Sequence, residues 1–171
     1  AILCREDELH RFDRSRAVKI HATALRSGSD RKPDEFDRHV TARAARDAYE
    51  IAGLGPDDMG VAEVHDATAF AELQQIEKLG FCEFGAGGAL TQSGATSLGG
   101  KIPVNPSGGL ESKGHPVGAT GLAQVFELTT QLRGEAGGRQ VEGARYAIAE
   151  NGGGFHGIEE AIACVTILGR A

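Results

Sequence analysis

The residue best suited to acid–base chemistry in this sequence is His115, which lies between two glycine-rich stretches. Glycine has no Cβ and tolerates positive φ, so residues 105–121 leave space for a ligand close to the backbone. Pro116 has a fixed φ and favours an extended backbone at His115, which places the imidazole at a rigid corner. The apolar helical pattern of residues 122–132 would direct its free N–H groups back toward this corner. The sequence therefore predicts a titratable ring, N–H donors and open space in one place.

Two further corners carry polar side chains directly after apolar, strand-like runs. His65 and Asp66 follow residues 61–64, and Glu150 and Asn151 follow another such run. Ligands of open α/β sheets collect beyond the carboxyl ends of the strands, so we expect the three corners to face one pocket. Two imidazoles, two carboxylates and an amide would suit proton transfer beside a developing oxyanion.

Each of these residues also has a purely structural interpretation. His65 can hydrogen-bond its own corner, and Asp66 can cap the helix that follows it in the chain. Glu150 and Asn151, which precede three glycines, can form a turn held by side-chain hydrogen bonds. The glycine-rich stretches contain neither a GxGxxG pattern after a strand nor the Lys-Ser/Thr pair of a P-loop. Nucleotide hydrolysis is therefore disfavoured.

Length, charge and cysteine usage restrict the class of protein. A chain of 171 residues favours one domain, and a net charge of −6 with scattered basic residues disfavours nucleic acid as a partner. No run approaches the roughly 18 apolar residues of a membrane span. Cys4, Cys82 and Cys164 are odd in number and lack metal-ligand spacing, so neither disulfides nor a metal site are indicated. We expect a soluble protein in a reducing compartment, the cytoplasm.

Patterns along the chain predict alternating strands and helices, and hence an α/β layer sandwich. The chain opens on apolar residues that read as the end of a strand, so we expect further protein upstream. Residues 85–114 are expected to form a long loop, which is usually functional or mobile in a compact domain. In the first full strand, the alternation predicts that His21 points away from the core. Predicted strands cover residues 18–24, 61–64, 146–149 and 161–168, and predicted helices cover residues 6–15, 40–51, 70–79 and 122–132.

The order of the three corners resembles the C-terminal half of the thiolase superfamily. His65-Asp66-Ala67-Thr68 occupies the position of the family's Asn-Glu-Ala-Phe or His-Asp-Cys-Phe type motif. Residues 114–121 match the motif Gly-His-Pro-x-Gly-Ala/Ser-x-Gly. Residues 150–154 stand for the final glycine-rich turn. The His-Asp variant is most similar to sterol-carrier-protein-type thiolases and to thiolase-like aldolases that cleave steroid side chains. The resemblance implies a thiolase-like α/β fold of two βαβαβαββ halves, each a mixed sheet covered by helices, with residues 1–171 forming the second half.

The resemblance also implies roles for the two histidines. His115 would help to activate a nucleophilic cysteine and contribute to the oxyanion hole for the thioester oxygen. His65 would belong to a second oxyanion site. Coenzyme A would be the substrate carrier, with no covalently bound cofactor. Residues expected to contact the substrate are Asn151, Gly152, Gly114 and Gly118.

Two departures from the family pattern concern the missing thiols. The nucleophilic cysteine belongs to the N-terminal half, so the isolated domain is expected to be inactive. Ala67 replaces the cysteine of the His-Asp-Cys-Phe variant, and residues 150–152 replace the Cys-x-Gly of many thiolases. Glu150 and Asp66 remain as candidates to move a proton. Acyl transfer is the default reaction, with retro-aldol cleavage of a β-hydroxyacyl-CoA and non-catalytic acyl-CoA or lipid binding as alternatives.

The resemblance further implies partners for the full-length protein. Thiolases are at least dimers, so we expect a homodimer. Thiolase-like aldolases pair with small OB-fold, zinc-ribbon proteins, which makes such a protein a second expected partner.

Overall fold

The computed structural model describes residues 2–171, which form one four-stranded mixed sheet with helices on both faces. The strands are β1 (Val18–Ser27), β2 (Val61–Glu63), β3 (Tyr146–Gly153) and β4 (Ile162–Arg170). The helices are α1 (Val40–Ala52), α2 (Ala69–Lys78), α3 (Gly87–Gln92), α4 (Gly109–Lys113) and α5 (Thr120–Leu132).

The sheet has the order β1-β4-β3-β2, in which β4 is antiparallel to both neighbours and β2 is parallel to β3. A single parallel bridge between Ala62 and Val104 extends the sheet beyond β2. Its two hydrogen bonds run from the Ala62 N–H to the Pro103 oxygen, at 2.9 Å, and from the Asn105 N–H to the Ala62 oxygen, at 2.8 Å. The bridge lies between β2 and β3 in the chain. With the bridge counted as a strand, and with α2–α3 and α4–α5 each counted as one helical segment, the element order is βαβαβαββ. The predicted mixed α/β fold is confirmed.

Side-chain alternation along the central strands divides the core into two layers. Ala62, Val64 and Ile148 face α1 and α2, whereas Val61, Ala147 and Ala149 face α5. All six are buried, as expected for parallel strands covered on both faces. The carboxyl ends of β2 and β3 lie side by side, because Glu63 pairs with Ala149. This pairing brings the corners at residues 65 and 150 together.

Three local predictions differ from the structure. The register of β1 and β4 shifts between Ile20 and Ala22, so His21 occupies a bulge and packs edge-to-face on Tyr146, half-buried rather than turned away from the core. The charged segment near the start forms two short 3-10 turns, Glu6–Arg11 and Arg14–Arg16, rather than one helix. The predicted long loop 85–114 contains α3, α4 and the Val104 bridge.

Candidate active site

The two histidine rings predicted to share a pocket contact each other. The ring centroids of His65 and His115 lie 4.9 Å apart, and the ring planes meet at 82°. His115 is exposed and His65 is half-buried, so the pair lies at the protein surface beyond the carboxyl ends of β2 and β3. A small molecule that touches one ring can reach the other.

A hydroxyl group at the start of α5 holds the His115 ring. His115 Nδ1 lies 2.7 Å from Thr120 Oγ1, and this oxygen also lies 3.3 Å from the Pro116 carbonyl oxygen. Thr120 is buried, so the ring rests on a fixed support. Nε2 is the ring nitrogen left for a ligand.

His65 is held by its backbone rather than by its ring. Its N–H donates to Glu150 Oε2 at 3.1 Å, which ties the end of β2 to β3. Burial, and then the proximity of His115, lower the pKa of His65 below its usual 6.5. The imidazole is therefore neutral at neutral pH, when one ring nitrogen carries a hydrogen and can act as a donor.

Asp66 fixes the loop that carries His115. Its carboxylate accepts hydrogen bonds from the N–H groups of Leu110 at 2.7 Å and Glu111 at 3.3 Å, in the first turn of α4. The prediction that Asp66 caps the next helix was wrong, because Thr68 caps α2 by accepting from the Ala71 N–H. Both carboxylate oxygens of Asp66 are engaged by the backbone, so the structure gives this residue a positioning role.

A glycine makes this anchorage possible. Gly109 has a φ of +61°, and a Cβ built there would lie 2.0 Å from Asp66 Oδ2. Any side chain at position 109 would displace the carboxylate and strain the backbone. The glycine is therefore needed for the close approach of the loop to Asp66.

A second carboxylate from β2, which the sequence analysis did not identify, anchors the same loop. Glu63 is buried and accepts from the Ser107 N–H at 3.0 Å and the Ser107 hydroxyl at 2.7 Å. Lys113 Nζ lies 3.5 Å from Glu63 Oε2. The available signal was a glutamate inside the apolar run of residues 61–64. β2 and the three residues that follow it thus supply His65 and both carboxylates that position the loop of His115.

The predicted pair Glu150-Asn151 is divided between the two faces of the sheet, because successive side chains of a strand point in opposite directions. Asn151 faces α5, where its Nδ2 donates to Gln124 Oε1 at 3.0 Å. Gln124 Nε2 in turn donates to the Glu150 carbonyl oxygen at 2.8 Å. Gln124 also went unrecognised, although a buried glutamine inside an apolar helical stripe is a usable signal.

Glu150 lies below the histidine pair on the other face. It has 0% relative exposure, and within residues 2–171 its Oε1 has no hydrogen-bond partner. Burial raises the pKa of Glu150 to about 8. In this conformation the carboxyl cannot touch a bound substrate directly.

The predicted substrate-contacting glycines differ in their environment. Gly114 and Gly118 are exposed, and a Cβ at either position would meet nothing within 4 Å. Gly152 is buried instead, where a Cβ would lie 2.9 Å from Glu160 Cγ and 3.3 Å from Glu150 Oε1. This glycine makes room for two carboxyl groups, and its contact with the substrate stays a prediction.

Comparison with known proteins identifies the family to which this site belongs. A profile of the thiolase C-terminal domain-like family matches residues 22–170. The chain belongs to this family.

Curated relatives of this thiolase domain include enzymes and lipid-related proteins. The chain is 45% identical over 159 residues to an acetyl-CoA acetyltransferase of Methanothermobacter thermautotrophicus, covering 91% of the chain and 41% of the relative. It is 45% identical over 160 residues to human sterol carrier protein 2, covering 88% of the chain and 29% of the relative. A benzoylsuccinyl-CoA thiolase subunit of Thauera aromatica is 36% identical over 143 residues, covering 82% of the chain and 37% of the relative. The thiolase domain thus spans less than half the length of these relatives.

A solved structure shares the fold of this thiolase domain. The structure titled Ltp2-ChsH2(DUF35) aldolase superposes with a TM-score of 0.74 at 24% sequence identity, covering 90% of this chain and 39% of that one. At this identity the likeness establishes the thiolase-like fold alone.

The cysteines of this thiolase domain lie away from the histidine pair in sequence, and all three are free thiols. Cys4 is exposed, and Cys82 and Cys164 are half-buried. Cys164 pairs with Asn151 across β3 and β4. Within residues 2–171, no group of three potential ligands is arranged to hold a metal ion, and no helix is long and apolar enough to span a membrane.

Proposed function

We propose that this thiolase domain is the C-terminal half of an enzyme that makes or breaks a carbon–carbon bond in an acyl-CoA thioester, with acyl transfer as its default reaction. The observation that carries the proposal is the contact between the His65 and His115 rings, 4.9 Å apart at the centroids. Two imidazoles at one surface corner can place N–H donors around a single small oxygen atom.

The chemistry of a thioester requires such donors. Removal of a proton beside the carbonyl, or expulsion of an enolate, places negative charge on the thioester oxygen. A positioned N–H donor at an oxyanion contributes about 3–4 kcal/mol to the stability of the transition state. The neutral His65 ring and His115 Nε2, whose ring is held through Nδ1, would supply these donors. Exposed Gly114 and Gly118 would leave the approach open to the pantetheine arm of coenzyme A.

The other catalytic residues would lie in the rest of the proposed enzyme. The nucleophilic cysteine would come from an N-terminal half, in keeping with the 41% of the acetyl-CoA acetyltransferase that this chain covers. We propose that the complete enzyme is a homodimer in the cytoplasm, where a reducing environment suits three free thiols. An OB-fold, zinc-ribbon partner remains a proposal for the aldolase alternative.

One observation favours retro-aldol cleavage as a second candidate. Ala67 stands where the His-Asp-Cys-Phe variant has a thiol, and none of the three cysteines of this chain occupies that position. In a retro-aldol step, a base takes the β-hydroxyl proton, the Cα–Cβ bond breaks, and its electron pair forms the thioester enolate. The enolate then takes up a proton at carbon. This reaction uses the same two imidazoles and needs no acyl-enzyme.

The test compares histidine variants in the full-length enzyme. We expect His115→Ala and His65→Ala each to lower turnover by about 100-fold or more, as loss of one oxyanion donor does elsewhere. Exposed His10, on the first 3-10 turn, provides the control variant His10→Ala. Circular dichroism would verify that each variant folds. Wild-type turnover in His115→Ala would refute the proposal.

The choice of substrate separates the candidate reactions. Thiolysis of a β-ketoacyl-CoA would identify acyl transfer, and cleavage of a β-hydroxyacyl-CoA without added coenzyme A would identify the aldolase. Binding of acyl-CoA without cleavage of either substrate would identify a non-catalytic binding module.

A further inference from the structure

A buried polar cluster lies beneath His65, on the α1 and α2 side of the sheet. Its centre is a carboxyl pair, which we define as Glu150 at the end of β3 and Glu160 just before β4. The Cβ position of Gly152 would be 3.3 Å from Glu150 Oε1 and 2.9 Å from Glu160 Cγ, so both side chains flank this glycine. A charge on one of two neighbouring carboxyl groups opposes ionisation of the other.

Glu160 keeps some contact with solvent, whereas Glu150 keeps none. The Glu160 side chain is 24% exposed and Glu150 is fully buried. Gln75 Nε2 donates to Glu160 Oε1 at 2.9 Å, and Glu160 Oε2, 3.2 Å from His39 Nε2, accepts no hydrogen bond within residues 2–171. Burial lowers the pKa of His39 to about 4, which keeps this ring neutral. Of the two carboxyl groups, Glu150 is therefore the one from which water is excluded.

Glu150 has one donor and no contact with solvent. Its Oε2 accepts one hydrogen bond, from the His65 N–H, and its Oε1 accepts none from residues 2–171. Oxygen Oε1 is thus the place for a proton. The pKa of about 8, raised first by burial, agrees with this assignment.

The other charged groups near the pair do not reverse the assignment. Lys78 of α2 contributes a positive charge to both carboxyl groups, although burial lowers its own pKa. Glu159 is already compensated by Arg31 at 2.8 Å and by the N–H groups of Ser29 and Val40. One cation, Lys78, is therefore shared between the two carboxyl groups.

We propose that Glu150 remains protonated at neutral pH, and that this neutral carboxyl is a positioning group that keeps negative charge away from the oxyanion site. Glu150 holds the His65 backbone by a hydrogen bond, so a charge on it would act one residue away from the developing anion. Its ionisation at alkaline pH would oppose that anion and lower turnover. The effect on turnover rests on the proposed function, whereas the protonation state does not.

Infrared spectroscopy tests the protonation state without any turnover. The protein would be titrated from about pH 6 to about pH 10, and the band of a protonated carboxylic acid followed in the wild type and in Glu150→Gln. We expect the wild type to show an acid band that Glu150→Gln lacks, and that disappears with a midpoint near 8. Exposed Glu142 provides the matched control Glu142→Gln, which should retain the band. Absence of a Glu150-dependent acid band at neutral pH would overturn the proposal.

A second variant tests the coupling of the pair. Glu160→Gln removes the neighbouring negative charge, and we expect the Glu150 midpoint to move to lower pH. An unchanged or higher midpoint would show that the carboxyl groups do not interact. This measurement also remains informative if Glu150→Gln does not fold.

The pH–rate profile of the full-length enzyme tests the functional half. In the wild type we expect turnover to fall through the Glu150 midpoint, and in Glu150→Gln we expect this alkaline limb to be lost. We expect the rate of Glu150→Gln at neutral pH to fall less than about tenfold, since loss of a proton-transfer group costs about 100-fold or more. A larger fall would assign Glu150 to proton transfer and overturn the positioning role. If no thioester is turned over by the wild type, the proposed function fails while the infrared result stands.

Discussion

The two histidines of the candidate site are held in different ways. His115 lies on a glycine-rich loop and is oriented through its ring, by a 2.7 Å contact to the Thr120 hydroxyl. His65 lies at the end of a buried strand and is oriented through its backbone, by the hydrogen bond to Glu150. The loop of His115 is itself tied to β2 by Asp66 and Glu63.

The difference indicates which contacts determine the position of each ring. His65 depends on the register of β2 and β3, which the whole sheet maintains. His115 depends on a few hydrogen bonds between one loop, one helix start and β2. Substitutions that break these bonds should therefore disturb His115 while the sheet persists.

The largest effect is expected from Gly109→Ala. The new Cβ would lie 2.0 Å from Asp66 Oδ2, at a backbone φ of +61°. We expect loss of the Asp66 contacts, a fall of about 3 kcal/mol or more in the free energy of unfolding, and loss of turnover. Denaturant unfolding measures the first quantity. The matched control is Gly138→Ala, where a Cβ would meet nothing within 4 Å and φ is not positive. Equal stability of the two variants would contradict this account of the loop.

Asp66→Ala should have the next largest effect. It leaves the buried N–H of Leu110 and the N–H of Glu111 without their acceptor, which costs about 1–3 kcal/mol for a buried group. We expect turnover to fall with stability, because α4 leads directly to His115. Asp58→Ala is the control, since Asp58 caps an exposed turn by accepting the Gly55 N–H. If Asp66→Ala lost no more activity than Asp58→Ala, the anchoring role would be wrong.

The pH dependence of stability should change in Glu150→Gln. The unfolded glutamate ionises near 4.5, whereas the folded one retains its proton to about 8, so between these values the unfolded state binds fewer protons. The contribution of Glu150 to stability is thus complete below the lower value and falls as pH rises, by a few kcal/mol at most. Glu150→Gln should remove this slope, and Glu142→Gln should keep it. Unfolding curves at several pH values measure it, and parallel slopes in all three proteins would contradict the assignment.

The smallest effect is expected from Thr120→Val, which keeps the shape of the side chain and removes the hydroxyl. The Thr120 hydroxyl has one proton, and it contacts both His115 Nδ1 at 2.7 Å and the Pro116 oxygen at 3.3 Å. The oxyanion role proposed for His115 requires the ring hydrogen on Nε2, so we expect the hydroxyl to donate to Nδ1. Loss of one such hydrogen bond is worth about 1 kcal/mol, or a fall in turnover of about fivefold to tenfold.

Nuclear magnetic resonance of ¹⁵N-labelled histidine reports the tautomer directly. Thr120→Ser should retain the Nε2–H form, and Thr120→Val should shift the tautomer balance. A wild-type ring with its hydrogen on Nδ1 would show that the hydroxyl accepts from His115 instead.

Much of the fold was predictable because its signals are local. The alternation of β1, the helical stripe of α5 and the strand pair β3 and β4 follow from apolar periodicity. The bulge at His21 was not predictable, because it arises from pairing with β4 rather than from the residues of β1. The two short helices in residues 85–114 lack the length that a periodic signal needs.

The residues of the candidate site also differ in whether the sequence indicates them. His65, His115 and Glu150 stand out by residue type and by their place at strand ends or in glycine-rich turns. Glu63 and Gln124 did not stand out, because each lies inside an apolar pattern and takes its role from partners distant in sequence. The prediction that Asp66 caps α2 was wrong because an aspartate that caps the next helix and one that caps a distant helix look identical in a sequence. Asp66 caps α4 instead.

By itself, the sequence determined which residue types gather at the ends of the strands and which thiols are missing, since both follow from composition and spacing. The tertiary structure alone decided that the two imidazoles meet, that Asp66 serves α4, and that Glu150 lies on the opposite face from Asn151. The physical reason is that strand pairing fixes which corners become neighbours and pleating fixes the side to which each side chain points. Burial then decides which carboxyl keeps its proton.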